Sequence, residues 1–428
     1  MNLFLLLSAI VILACVLCNR LSSKLGVPTL LAFILLGMFF GCDGVVKIPF
    51  DNYELAQDLC SVALIFIMFY GGFGTNWSQA RPVAAKATVL SSLGTLATAG
   101  LVGLFCWKAL GLEMLQGFLL GAVIASTDAA SVFSILRSKR LDLKEGTASL
   151  LEVESGSNDP FSYMLTMILL SLMTGGVSPS AFAYQVFAQL AYGIAFGVGI
   201  AFIARLFLHY FRFTTDGFDA IFLVSVALLS YVVPTLVGGN GYLSVYLTGI
   251  LLGNSPIQHK QGLVGFFDGL TGLMQMLLFF LLGLLAFPSQ LPSIAPTALA
   301  VALFLTFVAR PLVVFALMAP FRSSLGQMLL VSWSGMRGAA SIVFSILAIT
   351  SPAVTSLDLY HIVFFIVLFS ILVQGTLIPV FAKKLHMVDQ SSDVRKTFND
   401  YAEEPDAPAP ETTPILENTP VLERAEHS

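Results

Sequence analysis

Apolar runs of about 20 residues recur from one end of this chain to the other. An α-helix needs about that length to cross ~30 Å of hydrocarbon. In lipid no water satisfies the backbone, so spanning segments must close their hydrogen bonds within themselves. Of 428 residues, 57% are hydrophobic and 11% charged, which excludes an ordinary soluble domain. The expected fold is an all-α polytopic membrane protein. Hydropathy places about 13 transmembrane helices, at roughly 2–19, 27–41, 55–73, 85–107, 114–136, 147–173, 181–209, 217–237, 241–254, 264–287, 293–319, 327–350 and 357–384. The first run, Leu3 to Cys18, lacks a basic segment before it and a small-residue cleavage site after it, so it reads as a retained helix. Cys15 and Cys18 form a CxxC pair, but on an apolar helix without a second pair or a nearby His. They read as core-filling residues, and no metal or redox cofactor is expected.

Loop charges alternate. Arg20 and Lys24 follow the first span, Arg81 and Lys86 the third, Arg137 to Lys144 the fifth, and Lys383 with Lys384 the last. The opposite loops hold only Lys47 and Lys108. The positive-inside rule then puts the N-terminus outside and the C-terminus in the cytoplasm. Residues 1–386 form the membrane domain, with core helices at about 85–173 and 293–384. Residues 387–428 are rich in Asp, Glu, Pro and Thr and read as a disordered acidic cytoplasmic tail.

The chain repeats itself. Leu119-Leu120 and Ala129-Ala130-Ser131 recur 210 positions later as Leu329-Leu330 and Ala339-Ala340-Ser341. The stretch Leu31 to Gly37 has an echo 216 positions later in Leu247 to Gly253. Both echoes link spans seven apart, and seven is odd, so the copies cross the membrane in opposite directions. Such inverted-topology repeats are typical of secondary transporters. Ser126-Thr127-Asp128 interrupts the fifth span and Ser334-Gly335-Met336-Arg337-Gly338 the twelfth, in matching positions. Irregular backbone at membrane depth is tolerated only inside protein or beside a cavity, so paired breaks point to a substrate site.

The sixth span carries Glu154-Ser155-Gly156-Ser157-Asn158-Asp159-Pro160. Counted from Thr147, Asp159 falls near mid-span, where an unpaired carboxylate costs about 3 to more than 10 kcal/mol. Such a residue reads by default as part of an ion or proton pathway. A carboxylate in a partly dry cavity is driven toward its neutral form. It then holds a proton or a cation but not both, and that competition makes an exchanger. Asp159 is therefore the candidate ion ligand. Ser155 lies one turn earlier on the same face, and Pro160 leaves the Gly156 carbonyl without its helical partner. Thr127 adds a further oxygen from the fifth span. Asp128 and Arg337 carry opposite charges suited to offset the termini of the broken helices. Glu154 is expected to pair with Arg337. Asn158 stands where a second acid would otherwise titrate, so one proton for one cation, an electroneutral cycle, is expected. Arg310, before Pro311 in the eleventh span, is expected to snorkel toward the cytoplasm.

These residues carry a resemblance. Ser126 to Ser134, Glu154 to Pro160, and Gly335 to Ala340 resemble the monovalent cation:proton antiporter superfamily, and the Asn158-Asp159 pair is similar to its electroneutral sodium/proton branch. Gly41-Cys42-Asp43-Gly44 and Ile48 to Asn52 look like the bacterial potassium/proton antiporters of the cell volume regulation protein A type. The resemblance covers about residues 1–386. It implies a homodimer in the bacterial inner membrane, with a dimerisation domain beside a six-helix core that moves like an elevator. It also implies cation binding at Asp159 supported by Thr127, Ser155 and Glu154, with Glu154 paired to Arg337. The cytoplasmic regulatory domains of those relatives have no counterpart in the short tail. The expected function is antiport of K+ or Na+ against H+, with those ions and membrane lipid as partners, no nucleic acid and no enzymatic activity. The alternative class is a passive cation channel or a transport-inactive scaffold.

Overall fold

A computed structural model describes residues 2–25, 28–138, 141–175, 178–211, 217–257, 260–354 and 357–389. The described chain is almost wholly helical. Its helices are α1 (Asn2–Leu25), α2 (Thr29–Phe40), α3 (Tyr53–Gly74), α4 (Ala84–Lys108), α5 (Met114–Val123), α6 (Ala129–Ser138), α7 (Thr147–Met173) and α8 (Pro179–Tyr210). They continue as α9 (Phe218–Leu236), α10 (Gly241–Gly253), α11 (Lys260–Leu284), α12 (Pro288–Phe321), α13 (Leu325–Trp333), α14 (Ala339–Ile349) and α15 (Leu359–Lys384). Polar residues set several starts: the Leu55 amide donates to Asn52, Ala181 to Ser178, Leu243 to Asn240 and Gln327 to Ser324.

Among the described residues, seven helices are long and apolar enough to span a bilayer alone: α3, α4, α8, α9, α11, α12 and α15. The pairs α5/α6 and α13/α14 are half-length helices on either side of the interruptions expected from sequence. The breaks touch directly, as the Asp128 amide donates to the Met336 carbonyl at 2.8 Å.

The helices pack as two groups. Helices α1–α3 and α8–α11 contact chiefly one another, and α4–α7 contact α12–α15. The groups meet where α3 and α11 face α14, and where α8 and α10 face α7. The repeat also appears in the backbone. Helix α4 contains a π-turn at Leu90–Gly94 and α12 one at Leu305–Ala309, 215 positions apart (305 − 90).

The ordered chain runs past the expected tail boundary. Met387 is buried against Gly326, and Val388–Asp389 (β2) pairs antiparallel with Asp142–Leu143 (β1). A short strand pair and one apolar anchor therefore hold residues 387–389. The rest of the expected disordered tail, residues 390–428, lies outside the described residues.

Glycines let helices of the first group cross at backbone distance. A Cβ on Gly37 of α2 would lie 2.1 Å from the Phe280 carbonyl oxygen, and one on Gly283 of α11 would lie 2.0 Å from that of Ile34. Gly253, the repeat counterpart of Gly37, meets the Phe73 carbonyl oxygen of α3 in the same way, at 2.0 Å. Small residues serve this role where lipid leaves no hydrophobic drive between helices. Gly283→Val forces backbone apart and is expected to lower the melting temperature in detergent by more than about 5 °C, as overpacking commonly does. An unchanged melting curve would show that this crossing is not close.

Candidate ion-binding site

The site is built on the stretch between α5 and α6, residues 124–128, where helical hydrogen bonding stops. Buried backbone groups must find partners, and side chains of α7 supply several of them at and beside the break. Ser162 donates to the Ala122 carbonyl at 2.6 Å. Ser155 donates to the Thr127 carbonyl at 2.7 Å and accepts from the Ala129 amide at 2.8 Å. Asn158 grips Thr127 twice: its Nδ2 donates to Thr127 Oγ1 at 2.6 Å, and its Oδ1 accepts from the Thr127 amide at 3.3 Å. Ser155 and Asn158 thus shape the unwound segment, which spacing alone did not reveal.

Charges sit where the half-helices need them. The Asp128 carboxylate accepts from the amide and hydroxyl of Ser131, capping the positive N-terminus of α6. Arg337 Nη1 donates to the Ala125 and Ser126 carbonyls at 2.6 and 2.7 Å, at the negative end of α5. Its own amide donates to Ser370 of α15 at 2.9 Å. A Cβ on Gly338 would lie 2.0 Å from Asp128 Oδ2, so the second break must be bare to admit this carboxylate.

The structure corrects the expected Glu154–Arg337 pair. Glu154 pairs instead with Arg310 of α12: its two carboxylate oxygens lie 2.7 and 2.9 Å from Arg310 Nη2. Arg310 is 3% exposed and does not snorkel. The π-turn ending at Ala309 precedes it and shifts its facing by one residue relative to a plain helix. Gly335 leaves room for it, since a Cβ there would sit 2.7 Å from Arg310 Nε.

Asp159 is half-buried on α7 and accepts a hydrogen bond from Ser126, which the sequence placed in the break without a role at the site. It faces a cavity of about 90 Å³, with room for a few water molecules. Thr127, Asp128, Ser155 and Gly156 line the same cavity from the core. Leu64, Ile67 and Met68 of α3 and Tyr246 of α10 close it from the other helix group. Glu152, also unremarked in the sequence, lines it as well. Glu154, Asn158 and Arg337 stand behind this lining. The cavity therefore lies at the junction of the two groups, with the broken backbone as one wall.

Removing one partner of a buried ion pair strands the other, at a cost of about 3–5 kcal/mol. Glu154→Ala and Arg310→Ala are each expected to lower the melting temperature, and the double variant to recover part of the loss. Glu154→Ala/Arg337→Ala is expected to recover none. The reverse ranking would return the pairing to Arg337.

The chain has clear relatives among known proteins. The chain matches the transmembrane sodium/hydrogen exchanger family over residues 8–384. It is 37% identical over 389 residues to the K(+)/H(+) antiporter NhaP of Alkalimonas amylolytica, covering 90% of this chain and 67% of that one. It is 33% identical over 386 residues to the K(+)/H(+) antiporter NhaP2 of Shewanella baltica, covering 89% and 66%. The chain spans about two thirds of the length of these relatives. The solved structure of the sodium proton antiporter MjNhaP1 from Methanocaldococcus jannaschii superposes with a TM-score of 0.76 at 25% identity, over 88% of this chain and 100% of that one. With the match running through both broken helices and the acidic run of α7, the chain belongs to the transmembrane sodium/hydrogen exchanger family.

Proposed function

We propose that this chain is a secondary antiporter that exchanges a monovalent cation, K+ or Na+, for H+ at Asp159. The observation that carries this reading is the carboxylate itself, facing a small cavity beside unwound backbone at the junction of two helix groups. Protonated, Asp159 is neutral and holds no cation. Deprotonated, it attracts one, and Thr127 Oγ1 and the Gly156 carbonyl offer further hard oxygens. Ser155 gives its proton to Thr127 O, so only its remaining lone pair is available. Glu154 is assigned to charge compensation with Arg310 rather than to direct ligation. Asp128 and Arg337 stay bound to the helix ends throughout. One carboxylate then changes partner per half-cycle, and exchange is one for one without net charge.

Alternating access fits better than a passive pore. One turn beyond Asp159, Tyr163 of α7, Tyr242 of α10 and Phe344 of α14 fill the junction, with ring centroids 5.0, 5.8 and 5.9 Å apart. A site packed shut on one side is what a carrier presents. A homodimer in the bacterial inner membrane, with the N-terminus outside and the C-terminus cytoplasmic, completes the proposal. The alternating basic loops support the orientation, and the homodimer rests on the family resemblance alone. The relatives named as K(+)/H(+) antiporters and the structure named as a sodium proton antiporter leave both cations within it.

Proteoliposomes carrying a preset proton gradient and a pH dye test the reading. Added KCl or NaCl is expected to dissipate the gradient without a charge-compensating ionophore, and Asp159→Asn to abolish the response. Normal exchange by Asp159→Asn would overturn the site. A strict need for the ionophore would overturn electroneutrality.

A further inference from the structure

The cavity extends along α7 past Asp159. Glu152 lines it seven residues earlier, two helical turns away on the same face and about 10 Å along the axis. It lies on the side away from the Tyr163–Tyr242–Phe344 packing, toward the start of α7 and the basic loop before it. Glu152 is 8% exposed.

An independent observation lies between the two acids. The Tyr246 ring rests on the backbone of Gly156, where a Cβ would be 2.3 Å from Cε2 and 2.7 Å from Oη. Only glycine allows that approach, so the phenol oxygen stands over the turn that separates Glu152 from Asp159. Tyr246 is 3% exposed, lines the cavity, and its hydroxyl makes no hydrogen bond of proper geometry to a described residue. The neighbouring Thr75 hydroxyl, which donates to the Gly71 carbonyl at 2.8 Å, faces this oxygen outside hydrogen-bond geometry. A buried hydroxyl of this kind implies a ligand or water in the cavity, because leaving it unmet costs about 1–3 kcal/mol.

We propose that Glu152 and Tyr246 Oη form a first station for the monovalent cation on its way to Asp159; this rests on the antiport reading above. Glu152 draws the partly hydrated cation into the cavity, and Tyr246 supplies an oxygen ligand over Gly156. The cation moves on to Asp159 when that carboxylate releases its proton. Glu152 keeps its charge through the cycle, so the one-for-one balance is unchanged. Tyr246 belongs to the helix group opposite α7, so the station is complete only while the two groups sit as they do here.

The test separates cation capture from turnover. In proteoliposomes at low ionic strength, Glu152→Gln is expected to raise the apparent KM for K+ or Na+ about 5- to 20-fold, within the range by which charged clefts concentrate counter-ions. Its maximal rate should stay within about twofold. Glu152→Asp is expected to restore most of the affinity, and Tyr246→Phe to raise KM about 2- to 5-fold. An inert bulky electrolyte should raise the wild-type KM by screening and barely affect Glu152→Gln. An unchanged KM in Glu152→Gln overturns the proposal. So does an equal loss of maximal rate in Glu152→Gln and Glu152→Asp, which would indicate packing. A second readout needs no transport. Thallium(I) binding to detergent-purified Asp159→Asn protein is expected to persist weakly and to vanish when Glu152→Gln is added. Identical binding by those two proteins would overturn the station, whereas failure of exchange with that binding intact would overturn only the antiport reading.

Discussion

The structure depends on one constraint: the peptide groups of residues 124–128 lie within a membrane-spanning bundle and do not bond as a helix. Each unmet group there would cost several kcal/mol. The chain meets the requirement from three sides. Helix α7 offers Ser155 and Asn158 to the break and Ser162 to the last turn of α5, the second break offers the Met336 carbonyl, and Arg337 reaches the Ala125 and Ser126 carbonyls. The polar character of α7 follows directly. A helix that must bond a neighbour's backbone across the bundle needs hydroxyls and an amide on that face.

Electrostatics follow from the same geometry. Splitting a helix exposes a negative end and a positive end in a medium that screens poorly. Arg337 lies on the first and Asp128 on the second. The buried Glu154 and Arg310 pair with each other. Besides Asp128, the carboxylates that line the cavity are Asp159, which accepts from the Ser126 hydroxyl, and Glu152. On the antiport reading we propose, charge compensation and transport are divided among neighbours on one helix: residue 154 for the first, residue 159 for the second.

Much of this was legible in the chain. Apolar runs and their spacing foretold the helices, and polar clusters at matched positions foretold the two breaks. The acid at 159 stood out as a candidate because mid-membrane carboxylates are rarely idle, and the structure sets it on the cavity. Pairing partners were not legible. Arg310 is 156 positions from Glu154 and follows a π-turn, so counting at 3.6 residues per turn places it on the wrong face. Charge logic alone then favoured Arg337, whose guanidinium is instead held by backbone carbonyls, acceptors that no sequence displays. Ser126, Glu152 and Tyr246 were missed for a related reason. Their importance comes from which cavity they line, and that is set by packing between the two helix groups. The strand at 388–389 was not legible because a two-residue strand pair is too short to leave a pattern.

The central claim is that one carboxylate holds either a proton or a cation. Proton release on cation binding to purified protein in weakly buffered detergent solution tests it most directly. Titration with K+ or Na+ at a pH where Asp159 is protonated should release about one proton per cation bound, and Asp159→Asn protein should release none. Saturable cation binding that displaces no proton, or the same release from Asp159→Asn, would contradict the account.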